Sequence, residues 1–284
     1  MDIQYENKVM SSFLLYIDHM ICKKGNAYSN ASSFFYETSQ TFANLYNYSA
    51  PYKQMIVDES ISGADVMSGV YLDNNFISVG QSGLNSINHV EGMVHFSSQI
   101  TGSNRLSGDF SLKDFNVYLT NKPEEEVLFE TKYHLRPTVN ETPTGLRPDQ
   151  ITYPAIFLKS IAGTNTPAAF GGLDKTVIEA RCIVLSESSY QLDAALSILK
   201  DMVKTTVPFI QSDLPFNALG AYTGTSYNFD TLKATKTGTD ERIFIDEVNV
   251  SKNITAGGGY KNLNPDIYNG FIDFTLNEFR YPRK

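Results

Sequence analysis

The chain of 284 residues has no tryptophan and only two cysteines, Cys22 and Cys182. The cysteines are far apart and form no CxxC pair, so neither a disulfide framework nor a zinc site is expected. Both read as small buried apolar residues. Charged residues are sparse, at 19%, and the formal net charge is −8. No run of Lys and Arg offsets that balance. A free nucleic-acid binder needs cations against phosphate, so that class is not expected. Long apolar runs are also missing; Phe13–Ile17 is far too short to span a bilayer. The opening Met1-Asp2-Ile3-Gln4-Tyr5-Glu6 is acidic, unlike a secretory leader, and synthesis in a cytoplasm is expected. The Asn-x-Ser/Thr sites at Asn30, Asn47, Asn140, Asn249 and Asn253 then read as chance matches in an Asn- and Ser-rich chain.

Motifs for chemistry are missing too. There is no Gly-x-Ser-x-Gly elbow and no HExxH. Asp18-His19 has no evident nucleophile, and His19 reads as a surface residue. His89 and His95 share a hairpin with only Glu91 near them, a poor metal set. Gly257-Gly258-Gly259 lacks the Lys-Ser/Thr and helix of a phosphate loop, and Gly171-Gly172-Leu173-Asp174-Lys175-Thr176 has the wrong spacing. Both read as turning loops. Asp58-Glu59 and Asp246-Glu247 are strand neighbours, which point to opposite faces and cannot share a proton. Glu124-Glu125-Glu126 reads as a solvated turn. No catalytic, cofactor-binding or metal residue is assigned, and no cofactor or enzymatic turnover is expected.

Hydrophobic residues, at 42%, suffice for a real core, and aromatics reach 12%, all Phe and Tyr. In residues 8–23, Val9, Met10, Phe13, Leu14, Ile17, Met20 and Ile21 recur at helical spacing, with Lys8, Ser11, Asp18 and Lys23 opposite. Gly25 is placed to end that helix. Strands are expected at 33–39 and 53–59. Glycines then recur between short aromatic and branched runs to about residue 120. Asp73-Asn74-Asn75 and Glu91-Gly92 mark hairpin turns. Residues 127–134 and 153–160 read as strands, and 136–150 and 161–174 as loops.

In Val177–Phe209 the period changes from two to 3.6. Ile178, Ala180, Cys182 and Val184 alternate along a strand whose end turns apolar on both faces. Ser188 and Gln191 form a capping box. Leu192, Ala195, Leu196, Leu199, Met202 and Val203 line a helix that Pro208 stops. Two long strands close the chain. The first, through Ile243, Ile245, Val248 and Val250, slips at Asp246-Glu247 as a bulge would. The last places Ile272, Phe274 and Leu276 on one face.

The predicted fold is α+β: an antiparallel-rich sheet with packed helices from residues 1–50 and 121–284, plus a β-rich barrel or sandwich insertion at 51–120. The order of elements resembles the tail terminator or tail-completion proteins of tailed bacteriophages, especially tail-sheath stabilisers. The carrying segments are VIEARCIVLSESSYQLDAALSILKDMV (177–203), RIFIDEVNVS (242–251) and FIDFTLNEFRYP (271–282). The β-rich region departs from the family pattern. The resemblance implies a structural virion protein assembled in the host cytoplasm. It implies a hexameric ring of copies that ends the tail tube and docks neck and sheath components. DNA would pass through its channel without specific binding, and no membrane is involved. The negative charge agrees with a channel that repels phosphate. Another neck, connector or stopper ring remains an alternative. So do receptor or carbohydrate binding through Tyr71, Phe76, Phe96 and Phe110, and a hydrolase using unrecognised carboxylates.

Overall fold

The computed structural model describes residues 4–38, 44–101, 105–129, 133–135, 151–210, 214–216, 222–233, 242–252 and 267–282. Helix α1 (Tyr5–Gly25) opens the chain and ends at Asn26, whose φ of 45° is left-handed. Strands β1 (Tyr28–Phe34), β2 (Tyr36–Glu37), β3 (Tyr46–Ser49), β4 (Gly69–Leu72), β5 (Asn75–Ser78), β6 (Leu84–Asn88), β7 (Met93–Phe96), β8 (Leu106–Lys113) and β9 (Asn116–Leu119) follow. Helix α2 (Glu124–Phe129) leads to β10 (Tyr133–Leu135) and β11 (Ile151–Tyr153), and then to the long β12 (Ala155–Ala169) and β13 (Leu173–Ser186). Helix α3 (Ser189–Lys200), β14 (Thr206–Pro208), the short α4 (Phe229–Leu232), β15 (Arg242–Lys252) and β16 (Tyr268–Arg280) complete the order.

The protein is a strand-rich α+β structure. Its main sheet has the order β14-β15-β16-β13-β12-β9, and only β9 runs parallel to its neighbour. One face receives α1 and α3. Phe13, Ile17 and Ile21 of α1 and Leu192, Leu196 and Leu199 of α3 pack on Ile178, Ala180, Cys182, Ile272, Phe274 and Ile245. Phe13 meets Phe274 edge-on, with ring centroids 5.0 Å apart. Each such fully buried side chain stabilises the fold by roughly 1.5–3 kcal/mol through removal from water. The other face of the sheet, through Ile183, Leu185, Phe157 and Phe271, receives Val127 and Leu128 of α2. This is the two-sided cover that the apolar end of β13 predicts.

Two four-stranded sheets, β1-β8-β4-β5 and β2-β3-β7-β6, enclose a second core containing Val70, Ile77, Phe110 and Leu112 from the first and Tyr48, Leu84, Val94 and Phe96 from the second. This is the sandwich form of the expected β-rich unit. Its limits differ from 51–120. Strands β1 to β3, within residues 28–49, pair into these sheets, whereas β9 pairs with β12 in the main sheet. Long-range pairing sets those limits; the composition of the segments does not.

The hairpin signals hold: Asp73 and Asn74, at φ 49° and 65°, turn β4 into β5, and Gly92, at φ 62°, turns β6 into β7. The capping box holds as well, with Gln191 N–H donating to Ser188 Oγ at 3.1 Å. The bulge lies between Ile245 and Glu247 as expected. Other expectations fail. Residues 53–59 make only isolated bridges, at Met55 and Asp58, because they cross between cores as a buried connector. Glu124 to Phe129 is helical, where a turn and the start of a strand were expected. The segment expected as a loop at 161–174 is mostly strand, because β13 supplies a complete partner for it. Helix α3 stops at Lys200, before Pro208, which lies in β14. The Gly257–Gly259 run and the loop at 136–150 lie outside the described residues.

Candidate interaction surface

β12 begins in the core and ends at the rim. Ala155 to Leu158 are buried between β9 and β13, but every residue from Ser160 to Ala169 is exposed. Beyond Leu158 no described strand pairs with the outer edge of β12. Natural sheets guard such edges with charge, a bulge or proline. Here Ser160 to Leu173 contain no charged residue. A register shift lies between Ser160 and Ala162, and Pro167 removes one donor near the end. The five residues Ala162 to Thr166 between them carry neither device. The hairpin turns through Gly171 and Gly172, at φ 90° and 88°, and presents Phe170 fully to solvent at 106% relative exposure. A large exposed aromatic at a turn is suited to anchor a partner.

The opposite edge of the same sheet is also partly open. β14 covers β15 only from Arg242 to Phe244, and Lys204 and Thr205 bond Ile245. From Glu247 to Lys252 no described strand lies outside β15.

A polar seam joins α1 to the β-rich sheets. Lys113 Nζ lies 2.6 Å from Asp18 Oδ2 and 2.8 Å from Oδ1, with both groups buried. Burial pulls the Lys113 ammonium down, but the charge of Asp18 outweighs this and leaves it above the ordinary lysine value. One residue on, His19 Nδ1 lies 2.7 Å from Asp58 Oδ2, and the ring stacks on Phe229 at 4.4 Å. Asp58 Oδ1 accepts from Ser60 N–H, Ser60 Oγ and Phe229 N–H. Burial pushes the Asp58 carboxyl up, yet the hydrogen bonds from His19, Ser60 and the Phe229 and Ser60 backbone hold it below the usual range.

This seam corrects two expectations: Asp18 and His19 are interior, at 4% and 3% exposure, as is Ser11. Amphipathic spacing shows that a face is polar; it does not show that the face meets another polar surface. A serine, a histidine and an aspartate also meet here. Ser60 Oγ and Asp58 both approach His19 Nδ1, at 3.4 and 2.7 Å. In a relay the two partners sit on opposite ring nitrogens. This arrangement orients residues instead of passing a proton from serine.

The other singled-out residues disperse. His89 spans the carbonyls of Met67 and Gly224, at 2.9 Å each, while His95 faces Asn47 Oδ1 at 2.7 Å. Among the described residues no three metal-ligating groups converge. Both cysteines are free and buried, and burial raises both thiols far above their ordinary value. Glu124 is joined to Arg181 at 2.7 Å, and Arg181 also forks onto Asp273 at 2.5 and 2.8 Å. Phe96 and Phe110 are interior, but Phe76 is 51% exposed and, with Tyr71, Asp65 and Asp109, lines an open groove. No helix among the described residues is long and apolar enough to cross a membrane. No protein-family model matches the chain, and no curated protein matches it.

Proposed function

We propose that this chain is a structural protein of a tailed-bacteriophage virion. Copies of it form a ring at the head-tail junction that terminates the tail and docks it to the neck. One observation carries the reading: the main sheet ends in a long, uncharged, solvent-exposed edge with Phe170 at its turn. An exposed edge strand is a template for another chain, and a lone soluble protein gains nothing by leaving it unguarded. The rigid strand-helix core behind it supports the same reading. β13, α1 and α3 share one buried core in each copy. The edge carries no Lys or Arg, so it offers no cation to DNA passing nearby.

The test is the mass of the purified protein in solution, alone and with a tail-tube protein. A closed multimer that caps tubes is expected. A monomer at every concentration that never joins tubes overturns the reading.

A second reading has its own observation. Tyr71 and Phe76, 5.4 Å apart in an edge-on pair, border a groove with the exposed carboxylates Asp65 and Asp109. Aromatic faces take the apolar face of a sugar ring, and carboxylates accept its hydroxyls. Binding of an oligosaccharide that Phe76→Ala abolishes would favour a receptor-binding role for the β-rich unit. An unchanged titration with both proteins would remove that role.

A further inference from the structure

We infer that neighbouring copies join edge to edge, the outer edge of β12 in one copy pairing antiparallel with the outer edge of β15 in the next. This rests on the ring reading and names its interface.

Three features of the sheet lead to this pairing. The first is strand sense. β12, β13, β16 and β15 alternate in direction along the sheet. A neighbour's β15 placed beside β12 therefore continues the antiparallel alternation without a break.

The second is matched length. β9 covers the start of β12, and β14 covers the start of β15. Each cover leaves a free segment beyond a register shift: Ala162 to Thr166 on one edge, five residues, and Glu247 to Lys252 on the other, six residues. Paired along the shorter length, they would exchange about five backbone hydrogen bonds.

The third is stagger. Thr164 lies level with Val177 of β13, and Asn249 lies level, through Asp273, with Arg181. The two free segments are therefore offset by four residues, about 13 Å at ~3.3 Å per residue. The offset accumulates over four strands, about 19 Å at ~4.8 Å per strand. Repeated from copy to copy, it tilts the strands by about 35°, at the lower end of the ~35–45° that lets a sheet close on itself. A sheet with level edges would extend into an open ribbon. A two-fold pairing of β12 with β12 would leave every β15 edge bare.

The experiment uses the full chain in two single variants, Thr164→Cys and Asn249→Cys, with a short thiol crosslinker. The native Cys22 and Cys182 are buried and do not compete. Crosslinked dimers are expected only when the two variants are mixed, at least tenfold above either alone. Crosslinking of Thr164→Cys by itself would show β12 against β12 and overturn the inference. A multimer by mass that gives no crosslink in the mixture would overturn the inference and leave the ring standing. A monomer at every concentration would remove both. The fold of each variant is checked by its thermal transition, because both positions are exposed and should leave it unchanged.

Discussion

Asp18 of helix α1 and Lys113 at the end of β8 form an ion pair of 2.6 Å, buried where the helix meets the β-rich sheets. The two residues are 95 positions apart, and the pair ties the opening helix to a strand of the second core. Neither charge can return to water without opening the seam.

Breaking this pair from one side should be costly. Asp18→Leu or Lys113→Met alone leaves an uncompensated buried charge, and a loss of about 3–5 kcal/mol is expected. The double variant removes both charges and should recover most of that loss. Denaturant titration of the three variants checks this. Additive losses would show that the two groups do not interact.

Stability should fall at both pH extremes for identifiable reasons. The Asp58 carboxyl titrates lower in the fold than its ordinary value of 3.8. Its contribution is therefore present above pH 3.8 and disappears as pH falls through the lower folded value. Lys113 titrates above its ordinary 10.5, so its contribution is complete below that pH and is lost as pH rises through the folded value. Asp58→Asn should be less stable than the native chain at neutral pH by about 1–3 kcal/mol. The gap should narrow below pH 4. A constant gap from pH 7 to pH 2 would contradict the assignment.

Phe170 separates assembly from folding. At 106% exposure it packs on nothing in its own chain. Phe170→Ser should change the unfolding free energy by less than about 0.5 kcal/mol. The same change should weaken self-association or tube capping at least tenfold. Calorimetry and sedimentation on one sample read both. Equal association by the two proteins would remove Phe170 from the interface.

Two glycines with positive φ should differ sharply. A side chain on Gly92 (φ 62°) would meet the Tyr52 carbonyl oxygen at 1.9 Å, whereas at Gly80 (φ 89°) nothing lies within 4 Å. Gly80→Ala should cost about 1 kcal/mol, from backbone strain alone. Gly92→Ala should cost at least twice that, since the turn between β6 and β7 must shift. Similar thermal shifts for the two would show that the close approach relaxes.

What the chain encodes locally was legible in its order of residues. Period 3.6 placed α1, period two placed β13 and β16, and Ser188 with Gln191 marked the start of α3. The turns at Asp73-Asn74 and Gly92 and the slip after Ile245 were visible for the same reason: each is a backbone requirement met within a few residues. Partners far along the chain were decided only in three dimensions. Nothing near His19 announces Asp58, and nothing near Asp18 announces Lys113, so an interior seam read as a solvated face. The Ile161–Ala169 segment read as a loop because its small uncharged residues have no strong preference of their own; pairing with β13 makes it a strand. Local propensities are worth tenths of a kcal/mol per residue, while leaving one buried charge of a pair without its partner costs about 3–5 kcal/mol, so long-range pairing overrides them. The open edge, too, is decided in three dimensions, by β9 covering only the start of β12 and β14 only the start of β15.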